Sequence, residues 1–121
     1  AYSILGPKPK EFADFQDIQL GLSGDGQAEA SYILISEYSN DLWKYYEVNF
    51  ALVTERRLFF ATSKATNSEF EYRFDGEFVR TDFDKLDGKR IVALRGKLTK
   101  TKDGRKIADR ELNFRMEHVG C

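Results

Sequence analysis

The sequence of residues 89–119 is KRIVALRGKLTKTKDGRKIADRELNFRMEHV, and this stretch decides the fold class. Apolar side chains recur at every second position on both sides of Asp103-Gly104, which is the period of a β-strand with one buried face. An Asp-Gly pair between two alternating runs is a strong signal for a β-hairpin. The stretch therefore predicts one long antiparallel hairpin near the C-terminal end of the chain.

The two arms of this hairpin carry their apolar residues on even numbers, which constrains the register between them. A three-residue loop, Lys102–Gly104, keeps even numbers opposite even numbers and puts glycine where a positive φ is needed. Cross-strand pairs of opposite charge would then support the outer face. The expected register pairs Leu94 with Leu112, Leu98 with Ala108, Arg95 with Glu111, Lys97 with Asp109 and Lys89 with Glu117.

The turn of the hairpin is unusually basic, since nine Lys/Arg and only two acids lie between residues 85 and 106. Here the strand is polar on both faces, which predicts a tip projecting beyond the core. Such a cluster would suit an anionic partner: an acidic protein, a membrane surface or a nucleic acid. Nucleic acid is not favoured, because no aromatic residue for base stacking lies between Phe83 and Phe114. The competing interpretation is a solvated hairpin end that discourages edge-to-edge association. The cluster comprises Lys100, Lys102, Arg105 and Lys106.

The rest of the chain alternates in the same way, with turn residues every eight to twelve positions. Asp75-Gly76 is a second expected hairpin turn. This pattern predicts an all-β domain, a single antiparallel sandwich or barrel of about eight meander-like strands with at most one short N-terminal helix. Residues 1–16 are expected to form an arm with a possible helix at Lys10–Gln16, and residues 17–121 a single β domain. The other expected strands are Ile18–Leu22, Ala28–Tyr38, Trp43–Val53, Leu58–Thr62, Glu69–Asp75 and Phe78–Phe83.

Composition places the chain among folded globular domains. It has 121 residues, 41% hydrophobic and 32% charged, with a net charge of −1. That length fits one domain with its own core, and the apolar content is too high for disorder. The sequence predicts a soluble protein, since no apolar run approaches the roughly 18–20 residues of a membrane helix. Ala1 is compatible with cleavage of a signal peptide, a weak indication of an extracytoplasmic protein. Compartment and oligomeric state stay open.

No motif for catalysis, cofactor binding or metal coordination is present. The single histidine, His118, and the single cysteine, Cys121, do not make a zinc site. The acids Asp82, Asp84 and Asp87 fail the spacing of an EF-hand calcium loop. No catalytic residue, cofactor or metal ligand is therefore predicted, and a hydrolase acting through paired carboxylates is the third of three functional alternatives.

Aromatic residues make up 14% of the chain and supply the leading functional interpretation. Core packing explains most of them. Trp43 and Tyr45, however, share the parity of Glu47 and Asn49, which predicts that both face outward and mark an interaction patch. The leading hypothesis is a non-enzymatic domain that binds a protein partner or a small apolar ligand through aromatic residues. The alternative is an adaptor for an anionic partner through the basic tip.

Overall fold

The computed structural model describes residues 1–22, 30–62, 70–80 and 83–117. Its strands form one closed antiparallel barrel, in which each strand pairs with the next along the chain and the last pairs with the first. The all-β prediction is confirmed, and the architecture is a barrel rather than a sandwich. The strands are β1 Tyr2–Ile4, β2 Phe15–Leu22, β3 Ala30–Ser39, β4 Leu42–Val53, β5 Arg57–Thr62, β6 Phe70–Phe78, β7 Leu94–Lys102 and β8 Arg105–Met116.

Two short helices accompany the barrel. A 3-10 helix at Lys10–Phe12 joins β1 to β2, and α1 at Phe83–Leu86 joins β6 to β7. The side chains of Phe12 and Leu86 are fully buried. In a meander these two connections lie at opposite ends of the barrel, so each end receives an apolar side chain. No helix of the described part of the chain has the length and apolar character needed to span a bilayer.

The N-terminal prediction is partly wrong. Tyr2–Ile4 is not a free arm, because it forms β1 and lies opposite Met116, Arg115 and Phe114 of β8. Only three of the residues expected in a helix at Lys10–Gln16 are helical, and β2 already begins at Phe15.

The core inside the barrel contains an aromatic stack of Phe60 on Phe74, which Phe114 contacts edge-on. Phe74 lies at its centre, with its ring centroid 5.7 Å from that of Phe60 and 5.5 Å from that of Phe114. All three side chains are fully buried. The even-numbered faces expected for β7 and β8 are confirmed at Leu94, Leu98, Ala108, Phe114 and Met116, which are all buried.

The register expected for the β7–β8 hairpin is wrong by two residues. Leu94 lies opposite Phe114 rather than Leu112. The turn is a two-residue one at Asp103-Gly104, where both residues have positive φ, 51° and 78°, as a type I′ turn requires. A bulge between Lys100 and Thr101 on the ladder then restores even-to-even pairing. Even-numbered residues therefore lie opposite even-numbered ones, as predicted, whereas the predicted three-residue turn is wrong.

The outer charge pairs change with this register. Lys97 Nζ still reaches Asp109 Oδ2, at 3.3 Å. Arg95 lies opposite Asn113 instead of Glu111 and donates its Nε to the amide oxygen, at 3.1 Å. Lys89 precedes the first residue of β7, so it does not face Glu117 in the ladder.

The prediction of a turn at Asp75-Gly76 is also wrong, because β6 continues through these residues. Gly76 lies opposite Gly96 of β7. A Cβ at either glycine would lie 2.6 Å from Cζ of Phe74. These glycines therefore leave room for the Phe74 ring inside the barrel, which is a packing role rather than a turn. The strand expected at Phe78–Phe83 does not form, since Phe78 ends β6 and Phe83 begins α1.

A second bulge changes the faces of β4. The β4–β5 register shifts between Val48 and Phe50. The shift turns the following residues over, so Leu52, which uninterrupted alternation would place on the face of Tyr46, is 53% exposed. The interpretations of Asp82, His118 and Cys121 concern positions outside the described residues.

Candidate functional site in the barrel interior

The interior of the barrel is polar near one end, the end that holds the 3-10 helix and the β3–β4 and β7–β8 turns. Four side chains from four different strands meet there: Glu37 of β3, Tyr46 of β4, Tyr72 of β6 and Lys100 of β7. Each of these side chains is buried, and Glu37, for example, shares its inward parity with the buried Ile35. We call these four residues the interior polar cluster.

Glu37 is the acceptor at the centre of the interior polar cluster. Tyr46 donates its hydroxyl to Oε1 of Glu37 at 2.6 Å, and Tyr72 donates its hydroxyl to Oε2. Both tyrosines are 1% exposed. Burial, with the charge of Glu37 beside it, raises the pKa of Tyr72 far above its ordinary value. The Tyr72 phenol therefore stays protonated at neutral pH and acts as a donor.

Lys100 is the cation of the interior polar cluster, and its contacts are long. Its Nζ lies 3.7 Å from Oε2 of Glu37 and 3.4 Å from the carbonyl oxygen of Glu11. It also lies 4.1 Å from the ring centroid of Phe70. Charge-assisted hydrogen bonds are ordinarily about 2.7–2.9 Å long, and an ammonium has about three N–H donors. The contacts of Lys100 to Glu37 and Glu11 are longer than this and thus leave room for a closer acceptor.

The 3-10 helix covers this end of the barrel. Its Glu11 supplies the carbonyl oxygen that Lys100 approaches, while its carboxylate accepts from Nη2 of Arg110 at 3.0 Å. A hydrogen bond from its own backbone N–H and the contact with Arg110 lower the pKa of Glu11. Lys8 Nζ donates to the carbonyl oxygen of Phe15 at 2.7 Å. The exposed Glu11–Arg110 contact, the Lys8–Phe15 hydrogen bond and the buried side chain of Phe12 therefore hold the cover over the interior polar cluster.

A second feature lies on the outside of the same end. The β3–β4 turn at Asn40-Asp41 has φ of 51° and 62°, and it presents three neighbouring rings. Trp43 and Tyr45 are 53% and 54% exposed, as their parity predicts. Their rings are nearly parallel with centroids 6.3 Å apart, and Trp43 lies 4.9 Å from Tyr38. We call Tyr38, Trp43 and Tyr45 the aromatic strip. Its role in binding stays a prediction.

The basic tip is smaller than the sequence indicated. Lys100 does not project with it, because the inward parity carries this side chain into the barrel, where it is buried. Lys102, Arg105 and Lys106 are exposed. Lys106 is paired with Asp109, Nζ to Oδ2, at 2.9 Å. Binding of an anionic partner through the tip stays a prediction that now involves three residues.

The interior polar cluster was missed at Glu37, Tyr46 and Tyr72. The signal for it was present, because Glu37 follows Ile33 and Ile35 on a buried parity and Lys100 follows Leu98 on another. Charged residues of opposite sign on two inward faces indicate an interior ion pair once a closed barrel is known. Without the strand order, nothing in the sequence brings β3 and β7 together.

Among the described residues, no three His, Cys, Asp or Glu side chains are grouped closely enough to hold a metal ion. Comparison of the chain with protein-family models, with curated proteins and with solved structures found no match.

Proposed function

We propose that this protein binds a small, largely apolar molecule inside the end of the barrel that carries the interior polar cluster. The observation that carries the proposal is Lys100, a buried ammonium whose contacts to Glu37 and Glu11 are longer than strong hydrogen bonds. Burying a charged pair costs several kcal/mol per ion by general estimates, roughly offset only when the geometry is good. An apolar pair would be cheaper at these positions, so the pair is better explained by a ligand that it recognises.

The architecture supports a ligand of limited size. An eight-stranded barrel has an interior that holds either packed side chains or one small ligand. The half around Phe74 is filled by the aromatic stack. The other half mixes aromatic walls with a few polar groups, which is the usual composition of a small-molecule site. Entry past the 3-10 helix requires breaking exposed contacts such as Glu11–Arg110 and displacing the buried side chain of Phe12.

A fluorescence titration with the uncharged dye 1-aminoanthracene tests this function. Saturable binding at one site per chain is expected. Ala108 lies opposite Lys100 in the ladder and is buried, so Ala108→Leu would intrude on the site. We expect this variant to weaken dye binding by roughly fivefold or more, on the cost of overfilling a packed interior. Circular dichroism of each variant checks that the barrel is folded.

The control is Trp43→Ser/Tyr45→Ser, which changes the aromatic strip and leaves the interior intact. Unchanged dye binding is expected for this control. Dye binding that survives Ala108→Leu but disappears in the control would move the site to the outer surface and contradict the proposal.

The aromatic strip carries a second candidate function, the docking of a protein partner. Exposed aromatic rings that adjoin one another are typical of interface centres. Trp43 is the only tryptophan of the chain, so its emission reports directly on the strip. A purified partner candidate should shift this emission and lose affinity for Trp43→Ser/Tyr45→Ser. Equal affinity for both forms would exclude the strip as its docking site.

A further inference from the structure

The interior polar cluster is electrically balanced before a ligand arrives. Glu37 and Lys100 are the only buried charged side chains of the described residues, and their charges are opposite. Their side chains are 6% and 8% exposed. Water therefore screens an added charge poorly at this depth.

The hydrogen-bond donors of the cluster differ in how firmly they are engaged. The hydroxyls of Tyr46 and Tyr72 both donate to Glu37, one to each carboxylate oxygen. Those two donors are therefore committed. Lys100 is the group with donor capacity to spare, and an ammonium has no acceptor. A ligand that contacts Lys100 must offer an acceptor.

The two properties together restrict the ligand. A carboxylate would supply an acceptor but would bring an uncompensated negative charge beside Glu37, and an ammonium would bring a positive charge beside Lys100. We infer that the interior polar cluster selects an uncharged ligand bearing a hydrogen-bond acceptor, such as a ketone, ester or amide carbonyl, which accepts from Nζ of Lys100. The apolar part of the ligand lies against the rings of Phe70 and Tyr72. This inference rests on the proposed function.

Three probes of nearly equal size separate the possibilities: acetophenone is neutral with an acceptor, benzoate is anionic, and ethylbenzene has no acceptor. Their dissociation constants are measured at pH 7 by titration of ¹⁵N-labelled protein, followed at the amides of the four cluster residues. We expect acetophenone to bind roughly tenfold more tightly than benzoate, because burying the anion is costly. We expect it to bind roughly threefold more tightly than ethylbenzene, which is the ordinary net gain of one hydrogen bond.

Variants assign this preference to the cluster. Glu37→Gln/Lys100→Met removes both charges together, so neither is left unpaired in the interior. In this variant the ammonium is gone, and the introduced amide can accept from one tyrosine hydroxyl and donate to the other, so the affinities for acetophenone and ethylbenzene should agree within about twofold. The matched control Lys106→Met removes an exposed lysine and should keep the full preference.

The outcomes distinguish the inference from the function on which it rests. Benzoate binding as tightly as acetophenone overturns the inference and leaves interior ligand binding in place. Equal affinity for ethylbenzene and acetophenone in the unaltered protein does the same. Absence of binding by all three probes overturns both.

Discussion

At the scale of single residues, the buried pair Glu37–Lys100 is the feature with the largest energetic consequence. Its Nζ–Oε2 distance of 3.7 Å is longer than that of a good ion pair, and both side chains are almost fully buried. Removing one member leaves the other uncompensated, whereas removing both does not. The double substitution therefore removes the groups proposed to recognise the ligand without the loss of stability expected from a single substitution.

We predict that Lys100→Met alone lowers the free energy of unfolding by about 3 kcal/mol, while Glu37→Gln/Lys100→Met is close to neutral or stabilising. Urea unfolding monitored by circular dichroism measures both values. Equal destabilisation by the single and the double variant would mean that the pair stabilises the fold by its own attraction, contrary to this account.

At the scale of elements, the β6–β7 ladder is organised by the Gly76–Gly96 pair. A Cβ at Gly96 would lie 2.6 Å from the backbone oxygen of Asp75 and 2.6 Å from Cα of Gly76. Backbone atoms of a central ladder cannot move aside cheaply. The same space admits the Phe74 ring, which joins these strands to the core.

Gly96→Ala is accordingly expected to destabilise the barrel by about 1–3 kcal/mol, the usual cost of overpacking. The control is Gly104→Asn at the β7–β8 turn, where a Cβ meets nothing within 4 Å and asparagine tolerates the positive φ. Thermal or urea unfolding distinguishes the two. If Gly96→Ala were as stable as the control, the ladder would accommodate the added Cβ, contrary to the short distances calculated for it.

The exposed β7–β8 turn belongs to the same scale. If the basic tip binds anionic partners, replacing Lys102, Arg105 and Lys106 with Glu should abolish retention on heparin at low salt, because such binding depends on accumulated positive charge. Lys100 is left unchanged in this test, since it is buried. No retention of the unaltered protein would remove the tip as an anion site.

The strands also show how much of the fold could be predicted from the sequence. Alternation predicted most of the strands and their inward faces, because the side-chain period of two is local. It failed on β4, where the bulge at Val48–Phe50 turns Leu52 outward, and the Asp-Gly turn signal failed at Gly76, which lies opposite a glycine inside β6. Such features depend on neighbouring strands. The aromatic strip was predicted at Trp43 and Tyr45 since exposure follows parity, whereas the interior polar cluster required the strand order.

At the scale of the whole molecule, barrel closure depends on the three residues of β1. Tyr2 pairs with Ile18 on one side and Met116 on the other, so it lies at the seam. Its side chain is 4% exposed, and burial raises the pKa of its phenol to about 12. The buried Tyr72 also has a raised pKa. The fold therefore keeps both phenols protonated where an unfolded chain would ionise them.

The sign of the resulting pH dependence follows from proton binding. Above the ordinary tyrosine pKa of 10.0, the unfolded state holds fewer protons than the barrel, so the free energy of unfolding falls as pH rises. The contribution of Tyr2 is about 2–3 kcal/mol between roughly pH 10 and pH 12. Urea unfolding from pH 8 to pH 12 should show this loss, and Tyr2→Phe should reduce it. An identical pH dependence in Tyr2→Phe would contradict the role assigned to Tyr2.

The most direct test of the central claim is to locate a bound probe. Isotope-filtered nuclear Overhauser spectra of the ¹³C-labelled protein with unlabelled acetophenone report which side chains lie within about 5 Å of it, a range set by the magnetic interaction of protons. The account predicts contacts to the rings of Phe70 and Tyr72 and to the methylenes of Lys100. Contacts confined to Trp43 and Tyr45, or none at the interior polar cluster, would contradict it.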